Sequence, residues 1–237
     1  MKKVICLLCA AVLAFTLLLS RRVMLAAEEA FSPAGSGLTL VIDAGHGGED
    51  GGATAENIRE SVLNLSVARK TELLSVFLGF TTLMTRESET ISYPPEADTV
   101  KKRKMADMRR RVKLVSSVRS PVFISIHQNK FSLPSAYGFE AYYGACEGSA
   151  ELADTIQSLV NALLEKDNRR TSARISDEIY IMKNVGCPAV LVECGFISNP
   201  RECERLTDGG YQRKLSAIIV GSVLQCLGSL EEHYGKG

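Results

Sequence analysis

Tryptophan is absent from the 237 residues and aromatics make up only 6% of them, which disfavours a stacking platform for sugars. Neither sign of charge is in surplus. Lys plus Arg (28) against Asp plus Glu (27) leaves +1, so the chain as a whole has no electrostatic case for nucleic acid. Seven cysteines are too sparse for a disulfide scaffold, and no Cys-x-x-Cys pair marks a sulfur zinc site. Gly-x-Gly-x-x-Gly is not matched at Gly45, and Gly-Lys-Ser or Gly-Lys-Thr does not occur, which excludes a dinucleotide fingerprint there and a phosphate loop. Internal repeats and low-complexity tracts are missing too. What is present, 46% apolar and 23% charged residues, suits one globular domain with a real core plus appendages.

The chain opens with Lys2-Lys3 and then 17 residues, Val4 to Ser20, without a charge. Such a block reads as an export signal or a membrane anchor, since about 17 apolar residues just span a bilayer. Leu25-Ala26-Ala27 offers small residues for cleavage, while Arg21-Arg22 balances the two leading lysines and leaves orientation open. Cys6 and Cys9 sit inside the run, and Leu8 before Cys9 does not suit lipidation. The remaining cysteines, Cys146, Cys187, Cys194, Cys203 and Cys226, allow at most two bridges. Residues 1–37 are thus a leader or anchor plus spacer, 38–230 the domain, and 231–237 a tail.

From Leu38 onward, short β-type runs alternate with longer helical ones, the pattern of an α/β domain with a single twisted, mostly parallel sheet flanked by helices on both faces. Strands are expected at Leu38–Asp43, Thr81–Thr85, Val122–His127, Gly138–Tyr143, Glu178–Met182 and Ala189–Glu193. Helices are expected at Glu60–Phe77, around Leu152–Leu163, in a short turn from Pro200, and at Tyr211–Leu227, each from apolar spacing of 3.6. Lys101–Arg119 holds nine basic residues and one acid, with Met105, Met108, Val112 and Val115 at helical spacing. That +8, with +4 in the leader, leaves −11 elsewhere, so charge is segregated. Such a helix is either a solvated face or a surface for an acidic partner, such as anionic wall polymer or lipid headgroups.

Three histidines occur, and two end apolar runs: His46 after Leu-Thr-Leu-Val-Ile-Asp-Ala-Gly, and His127 after Val-Phe-Ile-Ser-Ile. Ligands of α/β sheets bind outside the carboxyl ends of the strands, so two strands would bring imidazoles to one rim. Glu193 ends a third apolar run, and Glu60 opens a helix just beyond the glycine-dense stretch Asp43–Gly52. Any one of these has an ordinary structural explanation. Together, two His and one carboxylate with a position left for water are the ligand set of a catalytic zinc, and a spare carboxylate can shuttle the proton of that water. The parts suit amide hydrolysis.

With these residues assembled, the chain resembles the zinc-dependent N-acetylmuramoyl-L-alanine amidases of the type 3 family from about Leu38 to Leu227. The family's Asp-Pro-Gly-His-Gly-Gly corresponds to Asp43-Ala-Gly-His-Gly-Gly48, and its helix-opening Glu with Asn-Leu to Glu60 with Asn64-Leu65. Thr-Arg is Thr85-Arg86, and Ser-Ile-His-Ala-Asn is Ser125-Ile-His-Gln-Asn129. Leu-Val-Glu-x-Gly-Phe-x-Ser-Asn-Pro is Leu191-Val-Glu-Cys-Gly-Phe-Ile-Ser-Asn-Pro200. The resemblance implies one Zn2+ held by His46, Glu60 and His127, with Glu193 as catalytic carboxylate and Arg86, Gln128 and Asn129 as substrate contacts. It also implies a zinc-exopeptidase/phosphorylase-like fold.

Departures are Ala44 in place of Pro, Gln128 in place of Ala and Ser116 in place of a common Asn; none touches an implied ligand. The short layout, the export segment and the Met108-Arg-Arg-Arg-Val-Lys-Leu run make the chain most similar to the germination-specific, spore-cortex members. That implies an exported protein in the cell envelope of a Gram-positive-type spore former, acting on peptidoglycan strands with stem peptides on the way to muramic δ-lactam. An accessory envelope protein is expected, and no nucleic acid. The competing readings are a general cell-wall amidase of division or turnover, a silent peptidoglycan-binding protein, and a Cys-His hydrolase built on Cys194.

Overall fold

The computed structural model describes residues 36–55 and 57–235; the leader and most of the spacer therefore lie outside the described residues. The elements, in chain order, are β1 (Thr39–Ala44), β2 (Thr54–Ala55), β3 (Ile58–Arg59), α1 (Glu60–Phe77), β4 (Thr81–Met84) and α2 (Val100–Ser116). They continue with β5 (Pro121–Asn129), β6 (Glu140–Tyr143), α3 (Ser149–Leu163), β7 (Ala173–Arg174) and α4 (Tyr180–Asn184). The chain closes with β8 (Ala189–Phe196), α5 (Pro200–Thr207), α6 (Gly209–Gln225) and α7 (Leu227–Glu232).

Six strands form one sheet in the order β4-β1-β5-β8-β6-β7, and β2 and β3 pair as a separate hairpin. Only β6 against β8 is antiparallel in the large sheet, so the expected mostly parallel α/β architecture is what the chain adopts. β1, β5 and β8 are its centre. All six residues of β1 are buried, as a parallel strand covered on both faces requires.

Strand alternation sorts side chains between two layers. Leu40, Ile42, Val122, Ile124, Ile126, Val190 and Val192 point into the larger core, which α1, α3 and α6 cover. Val41, Phe123, Ala189 and Leu191 point the other way, under Val115 of α2 and Met182 of α4. Asp43, Ser125, His127 and Glu193 follow the same alternation on that second face, at the carboxyl end of the sheet. Helix entries are capped as their sequences dictate: Thr99 accepts from Lys102 N, Asn199 from Arg201 N and Glu202 N with Pro200 behind it, and Asp208 from Tyr211 N.

One expected element is wrong. Glu178–Met182 is not a strand: Tyr180 begins the short helix α4, and the loop before it carries Glu178 and Ile179. The alternation Ile179, Ile181 has β period, but both sheet edges lie elsewhere, so packing against α2 decided the conformation. The two-residue strands β2, β3 and β7 were not expected. Cys146, Cys187, Cys194 and Cys226 are free thiols. Among the described residues no helix is long and apolar enough to cross a membrane.

Candidate metal centre

The glycine-dense loop after β1 bends so that His46 stands at φ 60°, a left-handed conformation uncommon for a residue with a Cβ. Gly47, Gly48 and Gly52 also have positive φ, and two glycines make room for the donors. A Cβ at Gly45 would lie 2.3 Å from His127 Nε2, and one at Gly52 would lie 2.5 Å from Glu60 Oε2. The loop therefore needs glycine for both conformation and space.

Glu60 enters from the first turn of α1, and His127 from the second face of β5. Glu60 Oε1 is 3.3 Å from His46 Nε2 and 3.0 Å from His127 Nδ1. One donor atom each from His46, Glu60 and His127 lies within 4.8 Å of the others, and the two imidazoles meet edge to face with centroids 5.0 Å apart. This is a three-donor set of the kind that leaves catalytic metal sites an open position. Both histidines are about one-fifth exposed, towards the cleft, while Glu60 is buried.

Further partners orient the donors. Asp50 Oδ2 lies 3.0 Å from His46 Nδ1, leaving Nε2 to face Glu60, an arrangement that fixes the tautomer of a ligating imidazole. Glu60 Oε2 accepts from Ala53 N, and Oε1 from Asn64 Nδ2 and Gln128 N. Burial opposes charge on His46, yet the Asp50 and Glu60 carboxylates outweigh it and raise the imidazole to about 9. Burial likewise works against the Glu60 carboxylate, but His127 and His46 hold it well below its ordinary range. The negative charge is thus in place for a cation.

Glu193 sits across the register from His127 on β8. Its Oε2 is shielded from solvent with no hydrogen-bond partner among the described residues, and burial raises the group to about 7. A carboxyl that exchanges its proton near neutrality beside a three-donor cluster is equipped for general acid-base work. His46, His127, Glu193 and Asp50 line one cleft of about 600 Å³, walled by Met105 and Met108 of α2 on one side and by Ile179 to Met182 on the other. A larger groove of about 950 Å³ lies near Tyr137 and Arg205 and contains none of these donors.

The structure gathers all four sequence-assigned residues of the centre but does not bring the three substrate contacts to the cleft wall. Arg86 is buried, its guanidinium committed to Ala44 O, Gly45 O, Ser61 O and Glu89. Gln128 is buried against Asn64. Asn129 is half-buried, and its Oδ1 accepts from Lys130 N. Cys194 belongs to the opposite, larger core, where burial pushes its thiol up, so it is not placed as a nucleophile. Sequence reasoning missed Asp50, whose signal was its spacing of four from His46 inside the loop, and missed the Asp43–Arg111 pair beneath it, for which no local signal exists.

A family model described as N-acetylmuramoyl-L-alanine amidase (Amidase_3) matches residues 40–225. The chain is 35% identical over 191 residues to the germination-specific N-acetylmuramoyl-L-alanine amidase of Bacillus subtilis (strain 168), covering 80% of each. It is 29% identical over 188 residues to the N-acetylmuramoyl-L-alanine amidase LytC of the same organism, covering 77% of this chain and 34% of that one. The solved structure of the CwlD amidase from Clostridioides difficile in complex with the GerS lipoprotein aligns with a TM-score of 0.76 at 32% identity, over 80% of this chain and 98% of that one.

Proposed function

The chain belongs to the N-acetylmuramoyl-L-alanine amidase family, and from that premise we propose that residues 38–230 form a zinc amidase acting in spore-cortex maturation. The bond cleaved joins the lactyl group of N-acetylmuramic acid to the L-alanine of the stem peptide, which readies the muramic acid for δ-lactam formation. The observation that carries the reading is Glu193, whose shielded Oε2 has no hydrogen-bond partner among the described residues and which lies beside the His46, Glu60 and His127 cluster.

The donor set fits zinc: two imidazole nitrogens and one carboxylate oxygen, each steered by a further partner. Bound there, the ion supplies Lewis acidity, polarising an amide carbonyl and acidifying water. The chain's own residues do the rest. Asp50 keeps the His46 ring turned towards Glu60, and Asn64 and the Gln128 amide fix the Glu60 carboxylate. Glu193 accepts the proton of the attacking water and delivers it to the departing amine of L-alanine, a transfer suited to a carboxyl raised to about 7.

The cortex role is supported by the germination-specific relative, which this chain matches over 80% of its length. LytC, whose length is only 34% covered, motivates the alternative of a general wall amidase. Residues 1–37 serve in this reading as export signal or anchor, which places the enzyme in the envelope, and the lipoprotein held by the C. difficile relative supports an accessory envelope protein. The test is peptidoglycan digestion by the zinc-loaded, the chelated and the Glu193→Ala protein, with products weighed by mass spectrometry. Peptides with a free N-terminal alanine are expected from the loaded protein only, with the metal content of Glu193→Ala intact; the substitution should cost about 10²–10⁴-fold in rate. Silence from a folded, zinc-loaded protein would refute hydrolysis by this chain alone, in favour of a required partner or a binding role, and equal action on cortex and vegetative walls would favour the general amidase.

A further inference from the structure

The basic helix α2 has no role in the chemistry above, yet its charges are not simply displayed to solvent. Of its 17 residues only Arg111 and Val115 are buried, and Val115 with the partly buried Val112 packs on the second face of the sheet. Ionic and hydrogen-bonded rungs tie it as well to the glycine-dense loop. Arg103 Nε donates to Glu49 Oε2 at 2.9 Å, and Lys104 Nζ lies 2.9 Å from Asp50 Oδ2, the atom that faces His46 Nδ1. Two turns further on, Arg111 Nη1 donates to Ala44 O at 2.7 Å and to Asp43 Oδ1 at 2.8 Å, and its Nη2 donates to His46 O at 2.5 Å.

His46 is therefore gripped at both ends from one helix, at its carbonyl by Arg111 and at its ring through Asp50 by Lys104. The loop itself is poor in resources to hold that geometry: it is rich in glycine, which leaves the unfolded chain many conformations, and His46 adopts a left-handed φ. Residues in sparsely populated conformations persist only where surroundings over-determine them. We propose that α2 is a splint for the metal-binding loop, with Lys104 and Arg111 as positioning residues that set the affinity and coordination geometry of the His46 ligand. The proposal rests on the zinc reading above. It also accounts for part of the charge pattern, because Arg103, Lys104, Arg110 and Arg111, four of the nine basic residues from Lys101 to Arg119, form ion pairs within the molecule.

The full-length protein and its Lys104→Met, Arg111→Lys and Lys113→Met variants are titrated with zinc against a fluorescent chelator and, separately, with cobalt(II), whose visible absorption reports ligand geometry. Lys104 is half exposed, so Lys104→Met keeps the fold, and Arg111→Lys keeps the charge opposite Asp43 but loses the fork. Both should weaken zinc binding about 10–100-fold and alter the cobalt spectrum, while the thermal midpoint of metal-free Lys104→Met stays at that of the parent. Lys113, exposed on the same helix, should behave as the parent when substituted. Parental affinity and spectrum in both Lys104→Met and Arg111→Lys would overturn the splint while leaving the zinc site standing. Failure of the parent itself to bind zinc would overturn the zinc reading and the splint with it.

Discussion

Replacing Asp43 by Asn removes one charge from the floor of the site without changing its shape. Asp43 is fully buried and accepts from Thr85 Oγ1 and Ser125 Oγ, each at 2.6 Å, and from Arg111 Nη1 at 2.8 Å. Burial alone would raise its carboxyl, but the Arg111 guanidinium and the two hydroxyls outweigh that and bring it from 3.8 to about 2. The folded value lies below the unfolded one, so the stabilisation is complete above pH 4 and fades as the pH falls towards 2. Linkage makes it about 2 kcal/mol at neutrality, with roughly half remaining at pH 3. Asp43→Asn should cost more, about 3–5 kcal/mol, because Arg111 is left buried without its main counter-charge. For a domain of this size that lowers the thermal midpoint by roughly 6–20 °C. The double variant Asp43→Asn, Arg111→Met should recover part of the loss, since the orphaned charge goes too. Urea melts of the metal-free proteins between pH 7 and pH 3 measure these differences. A loss below about 1 kcal/mol at pH 7, or a gap between parent and Asp43→Asn that does not narrow on acidification, would refute the reasoning.

Two further outcomes follow from the site. Gly45→Ala should abolish zinc loading rather than merely weaken turnover, because its Cβ would meet His127 Nε2 at 2.3 Å; normal metal content measured by atomic absorption would count against the assigned donor. In the metal-free protein His46 holds its proton up to about 9, so zinc must displace that proton. Apparent affinity should therefore climb with pH until about 9, and calorimetry in buffers of different ionisation enthalpy should show proton release at neutral pH. A pH-independent affinity between 6 and 9 would contradict the His46 assignment.

The sequence by itself determined the alternation of strands and helices, because apolar periods of 2.0 and 3.6 are local and survive any packing that covers them. It also placed His46, His127 and Glu193 together, since each ends an apolar run and the carboxyl ends of neighbouring parallel strands meet at one rim. Local pattern failed where the neighbours decided. Glu178–Met182 has the period of a strand yet packs as a loop and helix against α2, and α2 reads as a surface of unspent charge although Arg103, Lys104, Arg110 and Arg111 bond to residues outside the helix. Arg86 and Gln128, placed at the substrate by motif, are turned inward to hold carbonyls and Asn64. Which of several arginines is buried, and which acid faces His127, depend on contacts between residues 40 or more positions apart. Those contacts exist only once the sheet has brought β1, β5 and β8 together and laid α2 across their ends, so the tertiary structure alone decided how the donors are held.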